Sequence, residues 1–314
     1  MSRALNHRFA LSLCFALFLA AATASAQNQG AGNRADVAQS QSQFAPGSVG
    51  AGELDHAPPS PNDSDLGEQA ILKRSDTYQP FSVSAIVPCY WTSNVALSKT
   101  NEQDDFLVAP AVALAYQPRF TQTLYGLVSV REQLFYYDDF DALNFGDFNI
   151  AAGVVYLVPQ WHNLIIRLDF IYDRLTEKDS FESFFDNYSI FVNAEIPFRI
   201  DRAQTLSLGV DANISIDANP EPPRRNDYEA YAAYTVAFTR NFSFDAVGRL
   251  IIHTYQLTDR VDVNEVLAGS ANYRFNSYVT ASAIGSFAAN QSNHEVFDYK
   301  VGNLGGLLSL SVRF

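Results

Sequence analysis

Leu206-Ser207-Leu208-Gly209-Val210-Asp211-Ala212-Asn213-Ile214-Ser215-Ile216 alternates without a break. Its even-numbered residues are apolar, and those between them are small or polar. A period of two puts the two sets on opposite faces of an extended strand, whereas a helix would repeat every 3.6 residues. The run is also about twice as long as a common strand. The pattern returns at the end of the chain, where Leu304, Gly306, Leu308, Leu310, Val312 and Phe314 oppose Asn303, Ser309, Ser311 and Arg313. It appears again at Leu164, Ile166, Leu168, Phe170 and Tyr172 against Arg167, Asp169 and Asp173, with Ile165 and Ile171 blurring the polar face.

Working outward from these stretches, the alternation predicts twelve strands. They lie near 81–92, 106–118, 122–136, 147–158, 163–174, 187–198, 204–216, 228–239, 241–257, 262–274, 277–290 and 299–314. In the strand at 122–136, Leu127 and Glu132 break the alternation. Pro88 and Pro110 fall inside strands and are expected to mark bulges, because proline has no N–H for a ladder. The connectors alternate in length. Short ones fall at 118–122, 159–163, 199–204, 239–241 and 274–277. Long ones fall at 93–105, 137–147, 175–187, 217–227, 257–262 and 290–298, and these collect Asp, Asn and charge.

The chain has 314 residues, of which 47% are hydrophobic and 18% charged, with a formal net charge of −13. Such an acidic balance excludes nucleic-acid binding through bulk positive charge. The two cysteines exclude a disulfide scaffold. At the start, Arg3 and Arg8 precede an apolar run from Phe9 to Ala22, and Ala24-Ser25-Ala26 follows as a small-x-small cleavage pattern. Residues 1–26 therefore read as a secretory signal peptide. Residues 27–78 are rich in Gln, Gly, Ser, Pro and Asp and read as a tail too polar to order itself. Residues 79–314 read as one all-β domain.

Long amphipathic strands in even number, short turns at one end and long loops at the other resemble the bacterial outer-membrane β-barrel class. The terminal Leu308-Ser309-Leu310-Ser311-Val312-Arg313-Phe314 resembles the last-strand signal of that class, which makes Phe314 the expected assembly signal. Aromatic residues at strand ends fit two interfacial girdles: Tyr116, Tyr136, Tyr137, Tyr156, Trp161, Tyr172, Tyr188, Phe198, Tyr228, Phe242, Tyr255, Tyr273 and Tyr278. The resemblance implies a closed antiparallel up-and-down barrel of twelve strands. It also implies outer-membrane localisation, outer-membrane lipid and the barrel-assembly machinery as partners, and no cofactor.

In such a barrel the charged residues belong inside, since Arg or Lys facing mid-bilayer lipid costs about 2–4 kcal/mol. Parity assigns Arg131, Arg167, Asp169, Glu195, Asp211, Asp245, Arg249 and His253 to the lumen as candidate pore-lining residues. Arg131, Arg167 and Arg249 are expected as a positive row opposite Asp169, Glu195, Asp211 and Asp245. Twelve strands would close around a bore of about 10 Å if nothing blocked it. A porin-like passive channel for small polar solutes follows as the first expectation. A non-conducting structural or surface-interaction barrel acting through its loops is the alternative. An outer-membrane enzyme is more remote. His253-Thr254-Tyr255 lacks the serine that the active strand of outer-membrane phospholipase A carries two positions after its histidine. No metal-binding spacing of His and Cys occurs either.

Overall fold

The computed structural model describes residues 78–178 and 180–314. The signal peptide and almost all of the polar tail lie outside them. The described chain forms thirteen strand segments, each antiparallel to its sheet neighbours: β1 (Phe81–Thr92), β2 (Asp105–Val108), β3 (Ala111–Tyr116), β4 (Leu124–Tyr137), β5 (Phe145–Val158), β6 (Leu164–Glu177), β7 (Ser183–Arg199), β8 (Gln204–Asn219), β9 (Arg225–Ala237), β10 (Phe242–Tyr255), β11 (Val261–Arg274), β12 (Val279–Ser292) and β13 (Tyr299–Arg313). β2 and β3 lie one after the other between β1 and β4, so the segments make a barrel of twelve strands. The sheet closes where β1 pairs with β13, from Ser82 opposite Arg313 to Thr92 opposite Asn303.

The gap between β2 and β3 is a proline effect. Pro88 and Pro110 sit on adjoining strands at the same level. Neither can donate to a ladder, so pairing stops there; Ala109 N–H still reaches the Pro88 carbonyl at 3.0 Å. On its other side Pro88 stays in register with Leu307, so the β1–β13 ladder is unbroken.

The difference in connector length is smaller than the sequence suggests. At the end carrying Phe81 and Phe314 the connectors are 117–123, 159–163, 200–203, 238–241 and 275–278. At the far end they are 93–104, 138–144, 178–182, 220–224, 256–260 and 293–298. Polar stretches expected as loop continue as ladder instead. β7 and β8 remain paired as far as Asp186 opposite Asn219. Extending a hairpin satisfies backbone groups that a loop would leave to water, and side-chain polarity does not oppose it.

Outward residues form a continuous apolar belt, with Leu114, Val128, Phe170, Val210, Leu267 and Leu308 among its exposed members. Lipid, rather than water, is the solvent that such a surface suits. Aromatic rings edge the belt. Near the chain ends Phe81 stacks on Tyr116 at 4.6 Å and on Phe314 at 5.9 Å, and at the other edge Tyr172 stacks on Tyr188 at 4.9 Å. Two tyrosines expected in the girdles are exceptions. Tyr137 and Tyr255 follow inward parity and are buried. The ambiguity in β4 is also settled: Leu127 is the buried inward residue, and Glu132 takes the outward set beside Phe148 and Val112. Tyr78 fastens the start of the barrel, its hydroxyl donating to the Gln117 carbonyl at 2.6 Å and accepting Arg119 N–H at 2.5 Å.

Candidate functional site

The inner wall has two unlike halves. From β11 round through β13 and β1 to β4 the inward side chains are mostly small or apolar and are buried, as at Ala268, Ser282, Ile284, Leu307, Ile86 and Ala111. Ile86, Ala111, Ile284 and Leu307 pack as one cluster. From β6 to β10 the inward set is long and ionisable, and Arg167, Asp211, Glu229, Tyr231, Asp245 and Arg249 are mostly buried but keep a small exposed fraction. The polar part of the lumen is therefore lined by β6–β10, off to one side of the barrel axis.

Two cross-strand rows organise that wall. Glu195, Gly209, Tyr231 and Arg249 are successive partners across β7, β8, β9 and β10. Asn193, Asp211, Glu229 and Ile251 form the next row. Gly209 is what permits the first row. A Cβ there would lie 2.2 Å from the Tyr231 ring, so the ring crosses β8 only because position 209 has no side chain. The Tyr231 hydroxyl then donates to Glu195 at 2.8 Å and accepts from the Asn193 amide at 3.2 Å. In the second row Asp211 and Glu229 are two carboxylates directly opposite, an arrangement that repels unless a cation stands near. Arg249 supplies one, 3.5 Å from Glu229.

The sequence-derived residues all lie on the inward set, but the structure groups only some of them. Glu195, Asp211 and Arg249 come together in the two rows with Asn193 and Glu229, which parity also assigns inward, and with Tyr231 added. Arg131 pairs instead with Asp147 at 3.1 Å on the neighbouring strand. Arg167 bonds Asp169 two residues along its own strand. Asp245 lies nearer the chain ends and accepts from Thr235 at 2.6 Å and from the Asn272 amide. His253 lies near the far mouth, its Nδ1 2.6 Å from Asp227. The expected positive row facing a negative row is thus corrected: each arginine sits beside a carboxylate on its own or an adjacent strand. Local pairing wins because an unpaired charge away from bulk water is costly, whereas an adjacent partner offsets much of that cost. Among the described residues, Glu195, Asp211 and Asp245 have no Lys or Arg within ion-pair distance. Tyr231 was the missed residue. Parity with Glu229 places it inward, and the inward glycine opposite it, Gly209, becomes informative once the β8–β9 register is known.

No protein-family model matches the chain, nor does the sequence of any curated protein. Among solved structures, an outer membrane channel from Pseudomonas putida F1 aligns with 75% of this chain and 97% of its own, at TM-score 0.52 and 11% identity. The fold is that of an outer-membrane β-barrel. The KdgM porin (TM-score 0.38, 8% identity, 71% of this chain and 97% of its own) is also similar. So is the translocator domain of the autotransporter NalP from Neisseria meningitidis (TM-score 0.44, 9% identity, 77% and 90%). Both are too distant to carry an argument.

The far mouth of the barrel is partly roofed. Tyr90, Leu107, Phe135, Tyr137, Phe145 and Leu175 pack into one buried cluster, with Phe135 stacked on Phe145 at 4.3 Å. The connector 93–104 folds over it. Its Val95 joins that cluster, while its Leu97 packs against Val266, Tyr299 and Val301 on the other side. Asn94 braces the loop, donating to the carbonyls of Ser98 at 2.8 Å and Lys300 at 2.9 Å. Lys99 latches it to the last loop through Glu295 at 3.0 Å and Asp298 at 3.1 Å. Hydrogen bonds to Glu295 and then Asp298 raise the Lys99 pKa. The Ser292 N–H, followed by Lys99, lowers that of Asp298. A raised lysine keeps its contribution below the ordinary lysine value and loses it as pH rises past the raised one. A lowered carboxylate keeps its contribution above the ordinary carboxylate value and loses it as pH falls through the lowered one. The latch is therefore expected to hold unchanged between about pH 5 and pH 9. The pair is exposed, so Lys99→Ala should speed amide exchange in the loop 93–104 by only about two- to fivefold. Exchange indistinguishable from the parent would dismiss the latch.

Proposed function

We propose that this chain is a passive channel in the outer membrane that passes small polar solutes and prefers cations. The observation that carries the reading is the ionisable inner wall of β6–β10, mostly buried but keeping a small exposed fraction, inside a closed barrel with an apolar outer belt. Glu195 and Asp245 are held by neutral partners, so their charge acts on whatever passes, and Asp211 shares Arg249 with Glu229 beside them. A narrow lumen with fixed carboxylates attracts cations and repels anions. The signal peptide at residues 1–26 would deliver the chain, and Phe314 would serve as the signal for barrel assembly. With the short turns on the periplasmic side, the loop 93–104 would face the exterior.

A second reading is favoured by the aromatic cluster and loop at the far mouth, which suit a barrel that does not conduct and meets partners through its loops. Planar-bilayer recording of the refolded protein under a salt gradient separates the two. Steady steps with a cation-sided reversal potential are the expected result. Silence from inserted parent protein and from Lys99→Ala alike would sink the channel and leave the second reading.

A further inference from the structure

The five turns at the end carrying Phe81 and Phe314 share a composition that the lumen does not need. Each presents a large apolar residue to the outside: Phe120, Trp161, Ile200, Phe238 and Phe275 are between 58% and 66% exposed. Arg119, Arg199, Arg202, Arg240 and Arg274 stand among them, all exposed. In these turns Asp201 is the single acid, and its carboxylate is occupied by the Ala203 N–H at 2.6 Å. None of the five arginines has an acidic partner within ion-pair distance among the described residues. Their recorded bonds go to carbonyls, Arg119 to Thr121 at 3.2 Å and Arg274 to Arg240 at 3.0 Å. The opposite end is acidic, with Asp138, Asp139, Asp141, Glu182, Glu221 and Asp259 in or beside its loops.

We infer that this ring of arginines and apolar side chains is a binding surface for the headgroups of anionic phospholipids. The inference rests on the membrane reading but not on conduction. Two features of the ring favour a leaflet over a protein partner. Its apolar anchor recurs in all five turns and its arginines in or beside four of them, all but 159–163, so it runs round most of the barrel end, whereas a protein would cover one sector. It also pairs four of the five apolar anchors, Trp161 being the exception, with guanidinium groups that bind phosphate through two parallel hydrogen bonds, and the anchors seat at the headgroup level. Carboxylates at the same level would cancel the attraction, and they are nearly absent. An Arg near an anionic leaflet shifts a binding equilibrium by about fivefold.

The test uses the full chain refolded into vesicles of phosphatidylcholine alone or mixed equally with phosphatidylglycerol, with the urea midpoint of unfolding as readout. The parent should be more stable in the mixed vesicles, and salt should erode the difference. A variant carrying Arg119→Gln, Arg199→Gln, Arg202→Gln, Arg240→Gln and Arg274→Gln should lose the difference while keeping its midpoint in phosphatidylcholine. If that variant fails to fold, the pairs Arg199→Gln with Arg202→Gln and Arg240→Gln with Arg274→Gln should each lose part of it. Parent protein that inserts equally well and is equally stable in both vesicles overturns the inference and leaves the membrane reading standing. A preference that persists in the variants also overturns it, because the attraction would then lie elsewhere. Failure of the parent to insert in either vesicle would reject both.

Discussion

Gly305→Val is expected to prevent the barrel from closing. Gly305 belongs to the inward set of β13 and stands opposite Tyr90 of β1, across the seam that joins the first strand to the last. A Cβ at position 305 would lie 2.2 Å from the Cys89 carbonyl oxygen, 2.3 Å from Tyr90 Cβ and 2.5 Å from Tyr90 Cα. Two of those atoms are backbone, so no rotamer change relieves the contact, and the two strands must move apart. Overpacking alone costs about 1–3 kcal/mol. Loss of the neighbouring ladder bonds adds to that, and an edge opened inside lipid leaves backbone groups with no water to satisfy them. A loss of at least about 3 kcal/mol is therefore expected. Gly248 is the internal control. Nothing lies within 4 Å of a Cβ there, and Gly248→Ala should stay within about 0.5 kcal/mol of the parent. Urea unfolding and the mobility shift of unheated barrel in detergent gels would measure both. Equal midpoints for the two variants would refute the argument from the seam.

Replacing two carboxylates of the inner wall should produce the largest functional change. Asp211→Asn with Glu195→Gln removes two charges from adjacent rows of β7 and β8 without altering shape. A carboxylate about 5 Å from a passing ion in a wet lumen is worth on the order of 1 kcal/mol. Removing two should then lower the cation-to-anion permeability ratio by about thirtyfold, read as a shift of the reversal potential toward zero. Asp169→Asn is the contrasting substitution. Arg167 already holds that charge, and Asp169 is 1% exposed, so selectivity should change little while stability falls. Unchanged selectivity in the double variant would take the two rows out of the permeation path.

How far the sequence could be read depended on which property each feature obeys. Strand positions follow from a period of two, which the lipid belt enforces at most outward residues, with Glu132 and Glu265 as exceptions. Leu206–Ile216 and Leu304–Phe314 therefore read almost as they fold. Parity likewise placed Arg167, Asp211 and Arg249 inside. Pairing could not be read this way, because it depends on register across strands distant in sequence. Arg249 meets Glu229, and Tyr231 reaches Glu195, only through alignments that no local pattern encodes. The buried arc of β11–β4 was hidden for a related reason. Small inward residues such as Ala268, Ser282 and Ala111 look like ordinary polar-face positions until closure sets them side by side. Tyr137 and Tyr255 misled because a tyrosine at a strand end suits a girdle and a buried mouth equally well.

The continuation of β7 and β8 as paired strands as far as Asp186 and Asn219 bears on what the far rim presents. A loop must lose backbone freedom of about 1–2 kcal/mol per residue before it can hold a shape against another molecule. Residues already fixed in a ladder have lost that freedom on folding. Any contact made along the tops of β7 and β8 therefore begins from an ordered surface and keeps more of its interaction energy as affinity.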